Sequence, residues 1–335
     1  MHLNVKKNYI FNQSKVFLID MPLEKKLHRL DFNMKIEKIV EETKDGVLVK
    51  VIMVPNPERY EFGKNSAGEE GYFDKFDRAF IPLSELKKAV PQLVGMPIYA
   101  SPPKIANIDD YIKERIQHIR MFFDGKVAPY QFQDASEEFL TGLEKDEARF
   151  VILVIDLKGS TKMSQALSPK INAQVIQVFS REMALLVDKF NGFVLKYVGD
   201  GLIAYFPEPN LIGMTDNAVD CAACMRRMVF YGINPVLKEK KLPELSFRIG
   251  LDSGEATVAT IGADSVKVHK DLISETINIS AKIQAKADTN QILIGESTAE
   301  GLHTSWRKRI KKVQLSDWEY KNKATGEIYP IYSLD

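Results

Sequence analysis

Two cysteines in 335 residues are too few for a disulfide framework. No uninterrupted apolar run approaches the roughly 20 residues that span a bilayer. The start, Met1 to Tyr9, is polar and basic and lacks the apolar segment of a signal peptide. Net charge is almost absent: 46 basic residues meet 45 acidic ones, leaving +1. That balance argues against nucleic acid or a membrane surface as partner. Internal repeats and low-complexity tracts are missing too. The chain reads as soluble and cytoplasmic. With 45% hydrophobic and 27% charged residues it can bury a core, which excludes disorder. Its length suits two domains.

The expected division falls near residue 145, giving regions 1–145 and 146–335. In the first, Lys15 to Ile19 is a short apolar run. A strand near Met34 to Val40, the turn Lys44-Asp45-Gly46 and the apolar run Val47 to Met53 predict a hairpin. Pro55 to Asp77, rich in Gly, Pro, Asn and charge, reads as a loop. Ser84 suits the N-cap of a short helix, Glu85 to Val90. Tyr111, Ile112, Ile116, Ile119 and Phe122 recur at helical spacing, so a helix near 108–123 precedes the second region. It reads as a packed helix, or as a transducing or dimerising one.

The second region is more regular. Arg149-Phe-Val-Ile-Leu-Val-Ile155 reads as a buried strand. Pro169 to Phe190 is a helix. Phe193 to Tyr197 and Leu202 to Phe206 are strands joined by Gly199-Asp200-Gly201, a hairpin signal. Thr215 to Tyr231 is helical, Leu245 to Leu251 a strand, Glu275 to Ala287 a helix and Gln291 to Ile294 a strand. From Lys311 the pattern suggests a closing pair of strands. The order βαββαβ with additions predicts an α+β, ferredoxin-like palm fold, preceded by a smaller mixed α/β region.

That order puts the first and third strands side by side. Asp156, ending the first, and Asp200, in the hairpin turn, then meet at one sheet edge. Two carboxylates there can hold hard cations through oxygen and serve phosphate chemistry. Taken singly, Asp156 also reads as a cap and Asp200 as a turn residue. Gly159-Ser160-Thr161 follows the strand and opens a helix, a turn suited to an anion and equally to a plain cap. Cys221 and Cys224 lie inside a helical pattern and read as two buried thiols on one face. His2, His28, His118, His269 and His303 form no ligand spacing. His269, close to Asp271, reads as a solvated loop histidine that could also touch a ligand. The basic run Arg307 to Lys312 reads as a solvated edge that blunts strand pairing.

Four segments in order, Val154 to Thr161, Asn191 to Phe206, Phe247 to Glu255 and Asp271 to Asn278, resemble the catalytic domain of class III nucleotidyl cyclases. The resemblance covers residues 146–335 only. It implies that Asp156 and Asp200, with the backbone carbonyl of Leu157, bind two divalent cations, Mg²⁺ or Mn²⁺. It implies that Lys196 and Asp271 read the base, that Gly159, Ser160 and Thr161 face the triphosphate, and that Asn278 orients the ribose. All these roles sit on one chain, so a homodimer with two shared sites is implied, with Val258 to His269 as a dimerisation arm. The implied activity is that of a lyase making a 3′,5′-cyclic nucleotide and pyrophosphate for a downstream effector. ATP is favoured, because Lys donates to a ring nitrogen and a carboxylate accepts from an amine.

The sequence departs from that family at one turn of helix. Lys282 stands where the family places a transition-state Arg, keeping the charge but losing the planar fork. Ser274 and Glu275 replace the usual Gly-Asp or Gly-Asn pair. Lys321 and Lys323 lie where a phosphate-binding Lys is often found, though surface solvation accounts for each. Two alternatives stand beside an ATP cyclase. One is a pyrimidine cyclase making cyclic CMP or cyclic UMP in anti-phage defence, since Asp271 also suits the cytosine amine. The other is a nucleotide-binding regulatory module without turnover.

Overall fold

The computed structural model describes residues 2–6, 32–43, 46–55, 57, 59–75, 79–84, 105, 107–126, 134–143, 147–207, 214–264, 266–323 and 325–334. Most of residues 1–101 form one compact unit and most of residues 102–335 another. The expected division at residue 145 therefore lies inside the second unit. Lys15 to Ile19 and Glu85 to Val90 lie outside the described residues.

The described elements of the first unit are strands, apart from Leu83 and Ser84, which are helical, so that Ser84, expected as an N-cap, lies inside the helix. β1 (His2–Lys6), β2 (Phe32–Thr43) and β3 (Gly46–Pro55) form one antiparallel sheet in the order β1-β3-β2. Thr43 pairs with Gly46, so the predicted hairpin is present. The segment read as a loop is instead a meander, β4 (Tyr60–Lys64), β5 (Glu70–Asp74) and β6 (Ala79–Pro82). Its strands are short and its turns polar, so composition hid a period of two. A buried ion pair stands there, Arg59 Nε donating to Asp74 Oδ2 at 2.8 Å.

The second unit opens with α1 (Ile108–Phe123) and α2 (Ala135–Thr141). Asn107 caps α1 by accepting from the Asp109 amide. Ile112 and Ile119 enter the main core, and a buried bidentate pair joins Arg115 to Glu182 at 2.8 and 2.7 Å. This helix is thus a packed part of the domain.

The sheet follows the expected order. Its first four strands are β7 (Glu147–Leu157), β8 (Phe193–Val198), β9 (Gly201–Pro207) and β10 (Phe247–Ala263). They lie as β10-β7-β9-β8, all antiparallel, which is the ferredoxin-like arrangement. β12 (Gln291–Gly295) joins β10 in parallel, and β14 (Ile331–Leu334) and β13 (Ile310–Val313) close that edge. β11 (Lys267–Ile273) folds back on β10 as a long hairpin arm. Lys311 and Lys312 lie on the outer strand β13, where charge discourages further pairing.

Alternation along β7 explains its unbroken apolar run. Val151, Leu153, Ile155 and Leu157 face a core with α4 (Pro169–Lys189) and α5 (Met214–Met228). Phe150, Ile152 and Val154 face a second core. Asp156 keeps that second phase. α5 continues as a π-turn, Val229–Ile233, into α6 (Asn234–Glu239). Cys221 is fully buried and Cys224 partly so, both packed in the main core; burial pushes Cys224 up to about 12.

The second core carries α7 (Glu275–Lys286), with Ile277 and Ala281 packed against it. Two glycines of β10 let this helix approach. A Cβ at Gly250 would lie 2.3 Å from the Gln284 nitrogen, and one at Gly254 would lie 2.2 Å from Thr276 Oγ1. No helix among the described residues is long and apolar enough to cross a membrane.

Candidate active site

The end of β7 and the β8–β9 turn meet as the topology predicts. A Cβ on Gly201 would sit 2.5 Å from the Ile155 carbonyl oxygen and 3.2 Å from Asp156 Oδ1. Glycine is needed there because the turn rests on the strand. Asp156 and Asp200 are both half-buried, and Asp200 Oδ2 is buried with no hydrogen-bond partner among the described residues. Burial first, and then the charge of Asp200, raises the Asp156 carboxyl above its ordinary value. Arg248 and the Leu157 backbone oppose that shift. Leu157 closes β7 opposite Phe247 with its side chain buried.

Two carboxylates with one orphaned oxygen suit a cation that draws further ligands from a backbone carbonyl, water and phosphate oxygens, as Mg²⁺ does. No group of three or more His, Cys, Asp or Glu among the described residues could hold a metal alone. The residues present fit the implied cations on those terms.

Past the strand, Gly159 takes a left-handed conformation, φ 81°, and caps the short helix α3 (Ser160–Ala166). Ser160 is half-buried and Thr161 exposed. A cavity of about 260 Å³ opens beside this turn, lined by Leu157, Gly159, Ser160, Met163, Glu244 and Leu245.

Lys196 reaches the site side of the sheet through a register shift. Phe193 and Leu195 face the second core and Val194 the main core, so strict alternation would turn Lys196 toward the helices. The irregularity between Val194 and Lys196 instead sets Lys196 opposite Ile203, which faces the second core. There Lys196 Nζ donates to Asp271 Oδ2 at 2.5 Å. The other oxygen, Oδ1, accepts from the Leu272 amide at 2.8 Å. His269, expected in a solvated loop, lies on β11 with Nε2 3.9 Å from Asp271 Oδ2. Lys196 and Asp271 make no hydrogen bond or ion pair with Asp156 or Asp200.

On α7, Glu275, Asn278 and Lys282 share the exposed face at helical spacing. Lys323 donates to the Glu275 carboxylate, and Tyr320 Oη donates to it at 3.2 Å. The Lys323 hydrogen bond, with Tyr320 and the charge of Lys282 adding to it, holds Glu275 below the usual carboxylate range. Solvation alone thus does not describe Lys323. Lys321 forms an isolated bridge with Ile328. The Glu275–Lys323 contact joins segments 48 residues apart and had no local signal. Arg248 did leave one: a charge between Phe247 and Ile249, both fully buried.

The family model of the adenylate and guanylate cyclase catalytic domain matches residues 144–333. An adenylate cyclase from Anabaena cylindrica is 28% identical over 191 residues, covering 56% of this chain and 36% of that protein. A cytidylate cyclase from Escherichia coli is 25% identical over 171 residues, covering 47% of this chain and 36% of that protein. The chain therefore matches well under half the length of these two relatives. Among solved structures, the adenylyl cyclase CyaB from P. aeruginosa is similar at 20% identity and a TM-score of 0.50. That match covers 58% of this chain and 96% of the other. The last likeness is one of fold.

Proposed function

The chain belongs to the adenylate and guanylate cyclase catalytic-domain family, and from that premise we propose that it converts a nucleoside triphosphate, ATP favoured, into a 3′,5′-cyclic nucleotide and pyrophosphate. The observation that carries this reading is the meeting of Asp156 with Asp200, whose buried Oδ2 has no partner among the described residues. The Lys196–Asp271 pair on the same side of the sheet supports it with one donor and one acceptor for a base.

Asp156, Asp200 and the Leu157 carbonyl hold the cations, Mg²⁺ or Mn²⁺. When bound, these supply acidity to the ribose 3′-hydroxyl and neutralise the triphosphate. Asn278 orients the ribose so that its 3′ oxygen faces the α-phosphorus in line. Lys282 donates to the charge that develops on the transferred phosphoryl group. The turn Gly159-Ser160-Thr161 lets the triphosphate approach the backbone. Pyrophosphate leaves as the 3′ oxygen–phosphorus bond forms.

Two copies of the chain share each site in this reading, one supplying the carboxylates and the other Lys196 and Asp271. Exposed apolar side chains on the hairpin and arm support a second copy as partner: Tyr197, Val198, Ile261, Val266 and Val268. A second base reading has its own support. Cytidylate cyclases are among the relatives, and Asp271 can accept from the cytosine amine as well as from the adenine amine. A cyclic CMP product would bring the defence-signalling role with it.

The test is incubation of the purified chain with ATP, GTP, CTP or UTP and Mg²⁺ or Mn²⁺, with products identified by mass spectrometry. Cyclic AMP alone supports the full reading. Cyclic CMP or cyclic UMP keeps the chemistry and replaces the base assignment. Nucleotide binding by a folded dimer without product from any of the four rejects catalysis in favour of a regulatory module.

A further inference from the structure

We infer that Glu137 is a positioning residue for base recognition: from the first turn of α2 it holds the backbone of β11 beside Asp271. The inference rests on the reading of Lys196 and Asp271 as the groups that meet the base.

Among the described strands β11 pairs only with β10, so its other side has no strand neighbour. Amides two residues apart leave a strand on the same side. The Lys270 amide donates to Glu137 Oε2 at 2.7 Å, and the Leu272 amide donates to Asp271 Oδ1 at 2.8 Å. Two carboxylates therefore take the successive amides that flank Asp271. One is the Asp271 carboxylate itself, whose other oxygen, Oδ2, accepts from Lys196. The other reaches in from a residue 133 positions away.

The same short helix also rests on the strands beside Lys196. Asp134 caps α2 by accepting from the Glu137 amide at 2.9 Å. A carboxylate at the place of Glu137 often turns back to the amide of the cap residue. Here it reaches across to β11 instead. Phe139 stacks on Phe193 of β8 with ring centroids 4.4 Å apart, and Ser136 Oγ meets Tyr205 Oη of β9 at 3.1 Å. Ser136 and Phe139 are buried, so α2 is seated on those strands. It is therefore a strut between the strand that carries Lys196 and the strand that carries Asp271. A base is met by the two groups at one spacing. Without the Glu137 acceptor, the Lys270 amide turns to water and that spacing is no longer held.

The test follows amide hydrogen exchange of the full chain in peptides covering Lys267–Ile273, and kcat/KM for ATP relative to CTP. Glu137→Ala is expected to speed exchange in those peptides. It is expected to raise KM for ATP about threefold or more with kcat little changed, moving the ratio between the two triphosphates toward one. Glu137→Gln keeps an acceptor oxygen of the same reach and is expected to restore both readouts. Glu137→Asp keeps the charge on the first turn of α2 but shortens the reach. It is expected to behave like Glu137→Ala, and it carries the test if Glu137→Ala fails to fold. A role confined to the stability of α2 predicts the reverse order, with Glu137→Asp harmless and Glu137→Gln impaired. Wild-type exchange or wild-type preference in the folded Glu137→Ala variant would overturn the inference. So would a Glu137→Gln variant no better than Glu137→Ala. Lys196→Glu is the control for the premise: if it leaves the ranking of triphosphates unchanged, the base assignment fails, and exchange alone then decides whether Glu137 holds β11.

Discussion

Lys196 donates to Asp271 at 2.5 Å, across 75 residues of sequence, so the two proposed base-reading groups satisfy one another when no nucleotide stands between them. The lysine side chain is 41% exposed and the aspartate 12%. The pair is open to solvent on the lysine side, while the aspartate is buried. A base entering between them would replace both contacts, its ring nitrogen taking the lysine and its amine the carboxylate.

Lys196→Glu is expected to shift base preference away from ATP, because it replaces a donor with an acceptor beside Asp271. The relative kcat/KM for ATP, GTP, CTP and UTP measures this. An unchanged ranking removes Lys196 from base reading.

Lys282 sits on the exposed face of α7, one turn beyond Asn278. Lys282→Arg is expected to raise kcat several-fold by restoring a planar fork, with KM little changed. Lys282→Ala is expected to lower kcat about 10²-fold or more. Steady-state kinetics on both variants checks the role, and equal kcat in all three proteins would contradict it.

Gly250 and Gly254 set how closely α7 lies on β10. Gly250→Ala would place its Cβ 2.3 Å from the Gln284 backbone nitrogen and 2.6 Å from the Ser280 carbonyl oxygen. Relieving that overlap is expected to destabilise the domain by ~1–3 kcal/mol. At about 2–4 °C per kcal/mol, thermal unfolding followed by circular dichroism resolves it. An unchanged Tm would mean that the helix does not rest on this strand.

Asp252 is a buried carboxyl outside the proposed chemistry. It accepts from Tyr329 Oη at 3.1 and 2.9 Å and from the Ser253 amide at 2.9 Å. Burial dominates and pushes it up to about 7 from an ordinary 3.8. The folded chain therefore binds more protons than the unfolded one between those values. This group's contribution to stability falls as pH rises from about 4 to about 7. Asp252→Asn lacks that titration, so its Tm relative to the wild-type chain is expected to climb across the window and level off above it. A difference that stays flat with pH would contradict the raised value.

The second unit was legible because its strands and helices announce their periods. β7 is an apolar run buried on both faces, and Gly199-Asp200-Gly201 marks the hairpin. The meeting of Asp156 and Asp200 followed from strand order alone. The meander at β4–β6 did not, since Gly63, Gly68 and Gly71 with flanking charges look like loop. Nor did the orientation of Lys196, which depends on an irregularity in pairing that no local pattern encodes. Arg248, Tyr320 and Lys323 find their partners only after distant segments pack. That α1, upstream of residue 145, buries Ile112 and Ile119 and pairs Arg115 with Glu182 was not legible either, since those contacts are invisible in the helix's own spacing.

The most direct test compares the wild-type chain with Asp156→Ala and Asp200→Ala in one assay for cyclic product and pyrophosphate, with Mg²⁺ or Mn²⁺ supplied. Circular dichroism and gel filtration verify folding and association. The account predicts loss of turnover by about 10³-fold or more in each variant, with the fold intact. Wild-type turnover in either folded variant would contradict a cyclase site built on these two carboxylates.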